Sequence, residues 1–269
     1  MKQPEVQAKD INQEKELSES IRYASYIQQA IFPSSVQLDR VIPEHFILYK
    51  PKDIVSGDFY YVNRKNDRII VGVGDCTGHG VPGALMSILG ITFLNEIVIR
   101  GTFSGPGSIL NQMREHVMEA LCQTGHDNER KDGIDLAICI LDPAKKTLSF
   151  AGAFNPVYIV RGTQLTEIAG DMMPVGVGAE EELCFTSHLF ELQPGDAIYL
   201  FTDGFADQFG GPSNSKFKYK PFRELLTEIS HLPMPEQKVR LETAFNEWKG
   251  NLQQLDDVLV LGFRYSAPL

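Results

Sequence analysis

Aspartates that end apolar segments or stand in glycine-flanked turns are the residues of this chain best suited to chemistry. Four segments carry five of them: SGDFYY with Asp58, IIVGVGDCTGHG with Asp75, AIYLFTDGFAD with Asp203, and LDDVLVLGF with Asp256 and Asp257. A carboxylate at the end of a buried strand lies at the edge of the core, where an unpaired charge is costly. Carboxylates gathered around one point suit hard divalent cations such as Mg²⁺ and Mn²⁺. The set therefore predicts a metal centre, although each aspartate taken alone also fits a turn or a helix cap.

Composition and charge exclude several classes of function. The 269 residues are 43% hydrophobic, which is enough for one large core, and the net charge of −10 comes without a block of Lys or Arg that would follow a phosphate backbone. We therefore expect no nucleic-acid partner. The four cysteines have no CxxC spacing, which favours a reduced cytoplasmic location over a zinc site or a disulfide framework. They are Cys76, Cys122, Cys139 and Cys184.

We expect neither the polar N-terminal segment nor the longest apolar stretch of this chain to span a membrane. The first 20 residues are polar and lack the apolar centre of a signal peptide. The longest apolar stretch, residues 84 to 99, contains Ser87, Asn95 and Glu96 and is too short to span a bilayer. We predict that this stretch is a buried helix.

Hydrophobic periodicity places the aspartates among grouped strands and paired helices. Short strand-like runs, among them residues 183–192 and 197–202 on either side of the turn QPGD, precede or follow pairs of amphipathic helical segments. This order, without strict alternation of strand and helix, predicts an α+β fold with antiparallel sheets. Because the candidate metal residues extend from Asp58 to Asp257, we expect one catalytic domain over residues 34–269, preceded by a linker or regulatory helix over residues 1–33.

The N-terminal helix carries one apolar stripe, formed by Leu17, Ile21, Ala24, Ile27 and Ile31. So little apolar area cannot stabilise a helix on its own, so the stripe must pack on the rest of the chain or on a second copy. We predict that it mediates a homodimer and that its packing biases the metal site between competent and incompetent states.

Seven segments in order resemble the SpoIIE-type (RsbU-like) branch of the PPM metal-dependent serine/threonine protein phosphatases, and together they cover most of residues 45–265. They are SGDFYYV (56–62), GDCTGHGVPGALMS (74–87), KDGIDLAICILD (131–142), LSFAGAFNPVYIVRG (148–162), MPVGVG (173–178), LQPGDAIYLFTDGFADQFG (192–210) and DDVLVLGFR (256–264). The resemblance implies a sandwich of two antiparallel β-sheets flanked by helical pairs, the αββα architecture of PPM phosphatases.

The same resemblance implies two Mn²⁺ or Mg²⁺ ions at one end of the sandwich. Asp75 would bridge both ions and the backbone carbonyl of Cys76 would bind one of them. Asp203 and Asp256 would complete the inner ligands, and Asp58 would act directly or through a water. The resemblance thus implies that Asp75 and Asp203 are catalytic carboxylates.

Two ions that share a water lower its pKa and direct it at the phosphorus of a phosphoserine or phosphothreonine, without a covalent enzyme intermediate. His79, in the GHG segment, would protonate the departing serine oxygen. Eukaryotic members have their loop histidine directly after the metal-bound glycine, whereas here it comes two residues later, so a purely loop-shaping His79 remains an alternative. Gly78 and Gly80 are expected to provide loop geometry.

Several polar residues near these motifs have open roles. Asp132 fits a turn, and Asp135 stands in an apolar strand and needs a partner, which the metal site could supply through water. Lys50 and Lys52 could help to hold phosphate, although loop lysines are usually solvated. Asp207 and Asp257 adjoin expected ligands and are candidates for supporting hydrogen bonds.

We therefore expect a phosphoprotein phosphatase that forms the output domain of a bacterial signalling protein. By analogy with the family, its substrate would be a phosphorylated STAS-domain anti-sigma-factor antagonist or a similar regulator. One alternative is a catalytically silent binding module with the same fold, which the full set of aspartates argues against. Another is a hydrolase of small phosphate esters, which the absence of a GxxxxGK[ST] loop disfavours.

Overall fold

Strands form the centre of the molecule and helices cover its two outer faces. The computed structural model describes residues 4–124, 131–177 and 183–266. The helices are α1 Pro4–Ile31, α2 Ser35–Val41, α3 Gly80–Asn95, α4 Pro106–Ala120, α5 Gly204–Asp207, α6 Tyr219–Ile229 and α7 Met234–Lys249, and a π-helical turn, Glu96–Arg100, continues α3. The strands are β1 His45–Lys50, β2 Phe59–Lys65, β3 Arg68–Cys76, β4 Ile134–Asp142, β5 Thr147–Gly152, β6 Val157–Arg161, β7 Gln164–Ile168, β8 His188–Glu191, β9 Ala197–Phe201, β10 Phe209–Gly210, β11 Ser215–Lys216 and β12 Val258–Arg264.

Two five-stranded sheets are built from these strands. The first sheet has the order β2-β3-β4-β5-β8 and the second has the order β1-β12-β9-β6-β7, while β10 and β11 form a separate hairpin. Every neighbouring pair within the two large sheets is antiparallel. The last strand of the fold, β12, therefore lies inside its sheet, between β1 and β9.

Three apolar layers hold the sandwich together. Val71, Val73, Leu200 and Leu261 belong to the layer between the two sheets. A second layer joins the first sheet to α3 and α4, and a third joins the second sheet to α6 and α7. Strands β3, β9 and β12 are buried on both faces, as their unbroken apolar runs predict. The predicted α+β sandwich with a helical pair on each outer face is confirmed.

The predicted buried helix is also present, but it is longer than residues 84–99, the stretch that we expected to be too short to span a bilayer. Gly80–Arg100 is the one helical segment, among the described residues, that is long and apolar enough to cross a membrane by length and composition. One face of it packs into the core through side chains that include Met86, Ile91 and Leu94.

Helix α1 presents a different face to the core from the one that its apolar stripe predicts. Gln28 and Ser25 are buried, whereas Leu17 and Ile27 are 63% and 48% exposed. Ile21 is only half-buried. One reason is that Gln28, on the inner face, has polar partners in the domain, which are described below. The outer part of the stripe is left free on this chain.

One predicted strand is shorter than expected. Residues 183 to 192 read as one strand, but only β8, His188–Glu191, has that structure. The preceding residues use their backbone for side-chain contacts instead, since Phe185 N–H donates to Asn111 Oδ1 and Thr186 N–H donates to Asp171 Oδ2. These backbone N–H groups therefore have hydrogen-bond partners without pairing to a neighbouring strand.

Candidate metal centre

Four aspartates meet at one edge of the sandwich because the strands that carry them are antiparallel neighbours. Asp75, near the end of β3, is directly opposite Asp135, near the start of β4. In the second sheet, Asp203 follows β9 and Asp256 precedes β12, which pairs with β9. Each sheet thus contributes two carboxylates to the same edge.

These four aspartates line one small cavity with a volume of about 190 Å³. The residues that line it are Asp75, Cys76, Thr77, Gly78, His79, Asp135, Asp203 and Asp256. The predicted site residues Asp75, Cys76, His79, Asp203 and Asp256 are therefore brought together, and Asp135 joins them. Asp58 does not line the cavity, and its side chain is buried.

Burial and mutual repulsion raise the pKa values of three of these carboxylates. Burial, followed by the nearby charge of Asp203, raises the pKa of Asp75 well above its ordinary range. The same two causes raise the pKa of Asp135 to about 6. Burial, followed by the charge of Asp256, raises the pKa of Asp203 to about 6, although Lys216 acts in the opposite direction. A cation in the cavity would relieve this repulsion.

The donor set fits a hard divalent cation. Carboxylate oxygens and a backbone carbonyl are the ligands that Mg²⁺ and Mn²⁺ prefer. Within the described part of the chain, no three His, Cys, Asp or Glu side chains already stand around one point as an ion would require. The four carboxylates nevertheless line the same cavity.

Asp58 is held by a residue that sequence reasoning missed. Its side chain is fully buried, and Thr202 Oγ1 donates a 2.7 Å hydrogen bond to Asp58 Oδ2. Burial, followed by the charge of Asp75, raises the pKa of Asp58. Thr202 Oγ1 in turn accepts from Leu259 N–H at 3.0 Å. The link joins the start of β2 to the second sheet, and the only sequence signal for it is the position of Thr202 before Asp203.

Asp257 anchors the loop between β1 and β2. This buried carboxylate accepts hydrogen bonds from the N–H groups of Lys52, at 2.8 Å, and Gly57, at 2.7 Å. The side chain of Gln28, on α1, donates to Ser56 O at 2.6 Å and accepts from Ser56 N–H at 3.2 Å. The loop that leads to Asp58 is therefore tied both to the second sheet and to α1.

Three glycines from two motifs touch where this loop meets the start of α3. A Cβ on Gly83 would collide with Gly78 O and lie 2.9 Å from Gly57 Cα. A Cβ on Gly57 would lie 2.7 Å from Gly78 O. All three contacts are closer than a side chain tolerates, so Gly57 and Gly83 must both be glycine. Gly78 has a φ of +84°, which also favours glycine.

His79 makes a contact that the sequence did not suggest. Its Nδ1 lies 2.8 Å from Asp53 Oδ2, across 26 residues of chain. No spacing rule connects residues so far apart, which is why Asp53 was not among the predicted site residues.

The remaining candidates lie apart from the cavity lining. Lys50 Nζ is 2.8 Å from Glu242 and Asp207 is 2.7 Å from Lys216 Nζ. Lys52 contributes its backbone, as described above. Asp132 accepts from Gln123 through its backbone oxygen. The suggested phosphate contacts of Lys50 and Lys52 therefore gain no support.

Comparisons with known proteins agree on one family. Residues 65–266 match the family model described as Stage II sporulation protein E (SpoIIE). No curated protein sequence gives a significant match.

Solved structures resemble the chain over most of its length. The SiaA-PP2C domain of Pseudomonas aeruginosa is 34% identical, with a TM-score of 0.84, and the match covers 94% of this chain and 98% of that one. A structure of the RsbU and RsbW domains of a Mycobacterium tuberculosis protein is 22% identical, with a TM-score of 0.67 over 85% of this chain and 62% of that one. The catalytic domain of the serine/threonine phosphatase PstP, solved with two manganese ions, is 17% identical, with a TM-score of 0.58 over 82% of this chain and 97% of that one.

Proposed function

Because the chain belongs to the SpoIIE family of PP2C-type, metal-dependent serine/threonine protein phosphatases of bacterial signalling, we propose that its acidic cavity holds two divalent cations and hydrolyses a phosphoserine or phosphothreonine protein. The observation that carries this proposal is the meeting of four carboxylates, two from each sheet, in one cavity of about 190 Å³. When bound, Mn²⁺ or Mg²⁺ would lower the pKa of a water and offset the charge of the phosphate.

The ligand set that we propose follows the cavity. Asp75 is the central ligand, since it stands between Asp135 on its own sheet and Asp203 on the other. Asp203, Asp256 and the backbone carbonyl of Cys76 complete the set. Asp58 has one carboxylate oxygen engaged by Thr202, which favours an indirect role through water.

His79 is proposed as the proton donor to the departing oxygen. It lines the cavity with the carboxylates, and an imidazole carries a transferable proton near neutral pH.

The proposed substrate is a phosphorylated regulatory protein, such as a STAS-domain anti-sigma-factor antagonist. The structural likeness to a protein with RsbU and RsbW domains supports a signalling partner of this kind. The described cysteines are all free thiols, which supports a reduced cytoplasmic location.

We further propose that residues 34–269 form the catalytic domain and that α1 regulates it as part of a homodimer. Exposed Leu17, Tyr23, Tyr26 and Ile27 give α1 an apolar outer face that suits a second copy of the same helix. The opposite face reaches the metal-site loop through Gln28.

The test compares the purified chain on a phosphoserine peptide and on p-nitrophenyl phosphate with Mn²⁺, with Mg²⁺ and with excess EDTA. We expect turnover of both substrates only with metal. Asp75→Asn should nearly abolish it, whereas Asp67→Asn, in the exposed β2–β3 turn, should not. Full activity in EDTA or in Asp75→Asn would exclude the two-cation site. Hydrolysis of p-nitrophenyl phosphate but of no phosphopeptide would favour a small-ester hydrolase.

A further inference from the structure

The His79–Asp53 pair lies at the rim of the cavity and has no part in holding the proposed cations. His79 lines the cavity, and its Nδ1 is 2.8 Å from Asp53 Oδ2. Neither a contribution to stability nor the capping of α3 explains this pair. Both side chains are about half exposed, at 50% and 47%, and ion pairs as exposed as this one contribute little to stability. His79 is the N-cap residue of α3 but makes no capping bond with its side chain.

Asp53 is held in place from both sides along the chain. Immediately before it, Lys52 N–H donates to Asp257 at 2.8 Å. Shortly after it, both the N–H and the carbonyl of Ser56 bond to the side chain of Gln28. A short loop fixed at both ends can hold its side chains in one orientation, as a group that positions another must be held.

The chain also leaves room for the contact. Gly80, next to His79, has a φ of +66°, and a Cβ there would lie 3.3 Å from Asp53 Oδ2. Glycine therefore lets the carboxylate approach the imidazole from the side of the loop.

The chemistry of the two groups fixes the direction of the hydrogen bond. An ionised carboxylate can only accept, so Nδ1 of His79 must carry the proton that points to Asp53. The other ring nitrogen, Nε2, is then the one left to give a proton to a substrate. A carboxylate hydrogen-bonded to one nitrogen of a histidine fixes the orientation of the ring, which a general acid requires.

We propose that Asp53 is a positioning residue for His79 that holds the imidazole with Nε2 available to the departing oxygen of a phosphoserine. This inference rests on the proposed phosphatase function and assigns to it a residue outside the metal-binding motifs. In the step itself, the oxygen of a water forms a bond to phosphorus and the bond between phosphorus and the serine oxygen breaks. The electron pair of that bond stays on the serine oxygen, which takes the Nε2 proton and leaves as a neutral hydroxyl. The attacking water releases its proton to solvent, and the imidazole regains one from solvent.

The test is a double-mutant cycle on two substrates that differ in their leaving group. Asp53→Ala, His79→Ala and the double variant are assayed at saturating Mn²⁺ on a phosphoserine peptide, whose leaving oxygen needs a proton, and on p-nitrophenyl phosphate, whose leaving oxygen does not. We expect Asp53→Ala to lower kcat on the peptide by about 10- to 100-fold. KM and the rate on the aryl phosphate should change little.

In the double variant, kcat on the peptide should be no lower than in His79→Ala alone, because a residue that acts through another has no effect once that residue is gone. Asp39→Asn is the matched control. Asp39 is an exposed aspartate that lies 4.0 Å from a different histidine, His45. His45 is the first residue of β1, at the end of the strand that is away from this loop. Asp39→Asn should leave both rates unchanged.

Three results would overturn the assignment: an unchanged Asp53→Ala enzyme, an equal loss on both substrates, or losses that multiply in the double variant. None of these results would contradict the proposed function, provided that the parent protein hydrolyses both substrates with Mn²⁺. Asp53→Asn, which keeps the size of the side chain but not its charge, repeats the comparison if the alanine variant unfolds at a lower temperature than the parent.

Discussion

Asp256 and Asp257 are neighbours in the chain with opposite surroundings. Asp256 is exposed at the cavity, and Asp257 is buried and accepts two backbone N–H groups from the loop before β2. One carboxylate is thus available to a cation and the other is fully used by the protein.

The two residues should therefore respond differently to the same change. In Asp257→Asn, one of the two backbone N–H donors would face an amide N–H₂ group and lose its acceptor. We expect this change to lower the free energy of unfolding by about 1–3 kcal/mol. It should also raise the Mn²⁺ concentration for half-maximal activity by roughly 10- to 100-fold, because the loop to Asp58 is loosened. Asp256→Asn should not lower the metal-free unfolding free energy, because it removes a charge that repels Asp203, but it should lower activity even at high Mn²⁺. Chemical denaturation in EDTA and Mn²⁺ titration of activity measure both effects, and identical behaviour of the two variants would contradict this division of roles.

At this scale, the sequence predicts carboxylates better than it predicts their partners. Asp75, Asp203 and Asp256 could be found because each borders an apolar strand, and the rim of a core penalises an unpaired charge. Thr202 and Asp53 could not, since their partners, Asp58 and His79, are distant in the chain and only the fold brings them together.

Among the elements, the start of α3 depends on backbone contacts that no side chain can enter. Gly83→Ala would place a methyl group in steric conflict with Gly78 O. We expect a loss of about 1–3 kcal/mol in unfolding free energy and weaker Mn²⁺ binding, because the displaced loop carries the residues that follow Asp75.

Gly162→Ala provides the matched control for Gly83→Ala. Gly162 also needs its glycine, with a φ of +60°, but a Cβ there meets nothing within 4 Å. Its replacement should cost about 1–2 kcal/mol from backbone strain alone and leave Mn²⁺ affinity unchanged. Thermal unfolding and calorimetric Mn²⁺ titration separate the two cases, and equal Mn²⁺ affinities in both variants would refute the expected link between Gly83 and the site.

Helix α1 gives the element-scale test of dimer formation. Leu17 and Ile27 are exposed on the outer face, so changing both to Asp should weaken a dimer without disturbing the core. Val36→Asp, also at a highly exposed position, is the control. Sedimentation velocity should show a lower apparent mass only for the Leu17/Ile27 variant, and its turnover at fixed Mn²⁺ should change with it. A variant with the mass and rate of the parent would mean that the outer stripe has no partner copy.

The prediction of α1 was right about the presence of the helix and incomplete about its faces. Apolar periodicity located the helix, but the buried face contains Gln28 and Ser25, and Gln28 is stabilised there by hydrogen bonds rather than by hydrophobicity. The shortened β8 has a similar cause, since Phe185 and Thr186 give their N–H groups to side chains that lie far away in the sequence.

For the whole molecule, proton binding and metal binding should oppose each other. In the metal-free fold, the pKa values of Asp135 and Asp203 are raised to about 6. The folded state therefore binds protons more tightly than the unfolded chain, and these groups favour folding at low pH. Their contribution is lost as the pH rises from about 4, the ordinary carboxyl range, to about 6.

Added Mn²⁺ should consequently raise the melting temperature more at about pH 7.5, where the carboxylates are ionised and repel one another, than at about pH 5. Differential scanning fluorimetry with Mn²⁺ and with EDTA at both values measures this difference. Asp135→Asn in EDTA should melt higher than the parent at the upper pH, because one repelling charge is removed. An Mn²⁺ effect that is the same at both pH values would contradict the raised pKa values.

The position of β12 has a consequence for synthesis on the ribosome. This strand is made after every other strand of the fold, yet it belongs between β1 and β9, and the residues just before it are Asp256 and Asp257. Until it emerges, a nascent chain has an open gap in its second sheet, lacks the carboxylate that fastens the loop before β2, and cannot complete the acidic cavity. We therefore expect the growing polypeptide to have no phosphatase activity until translation has passed this strand. We also expect a chain that stops before it to expose two unpaired strand edges that favour aggregation.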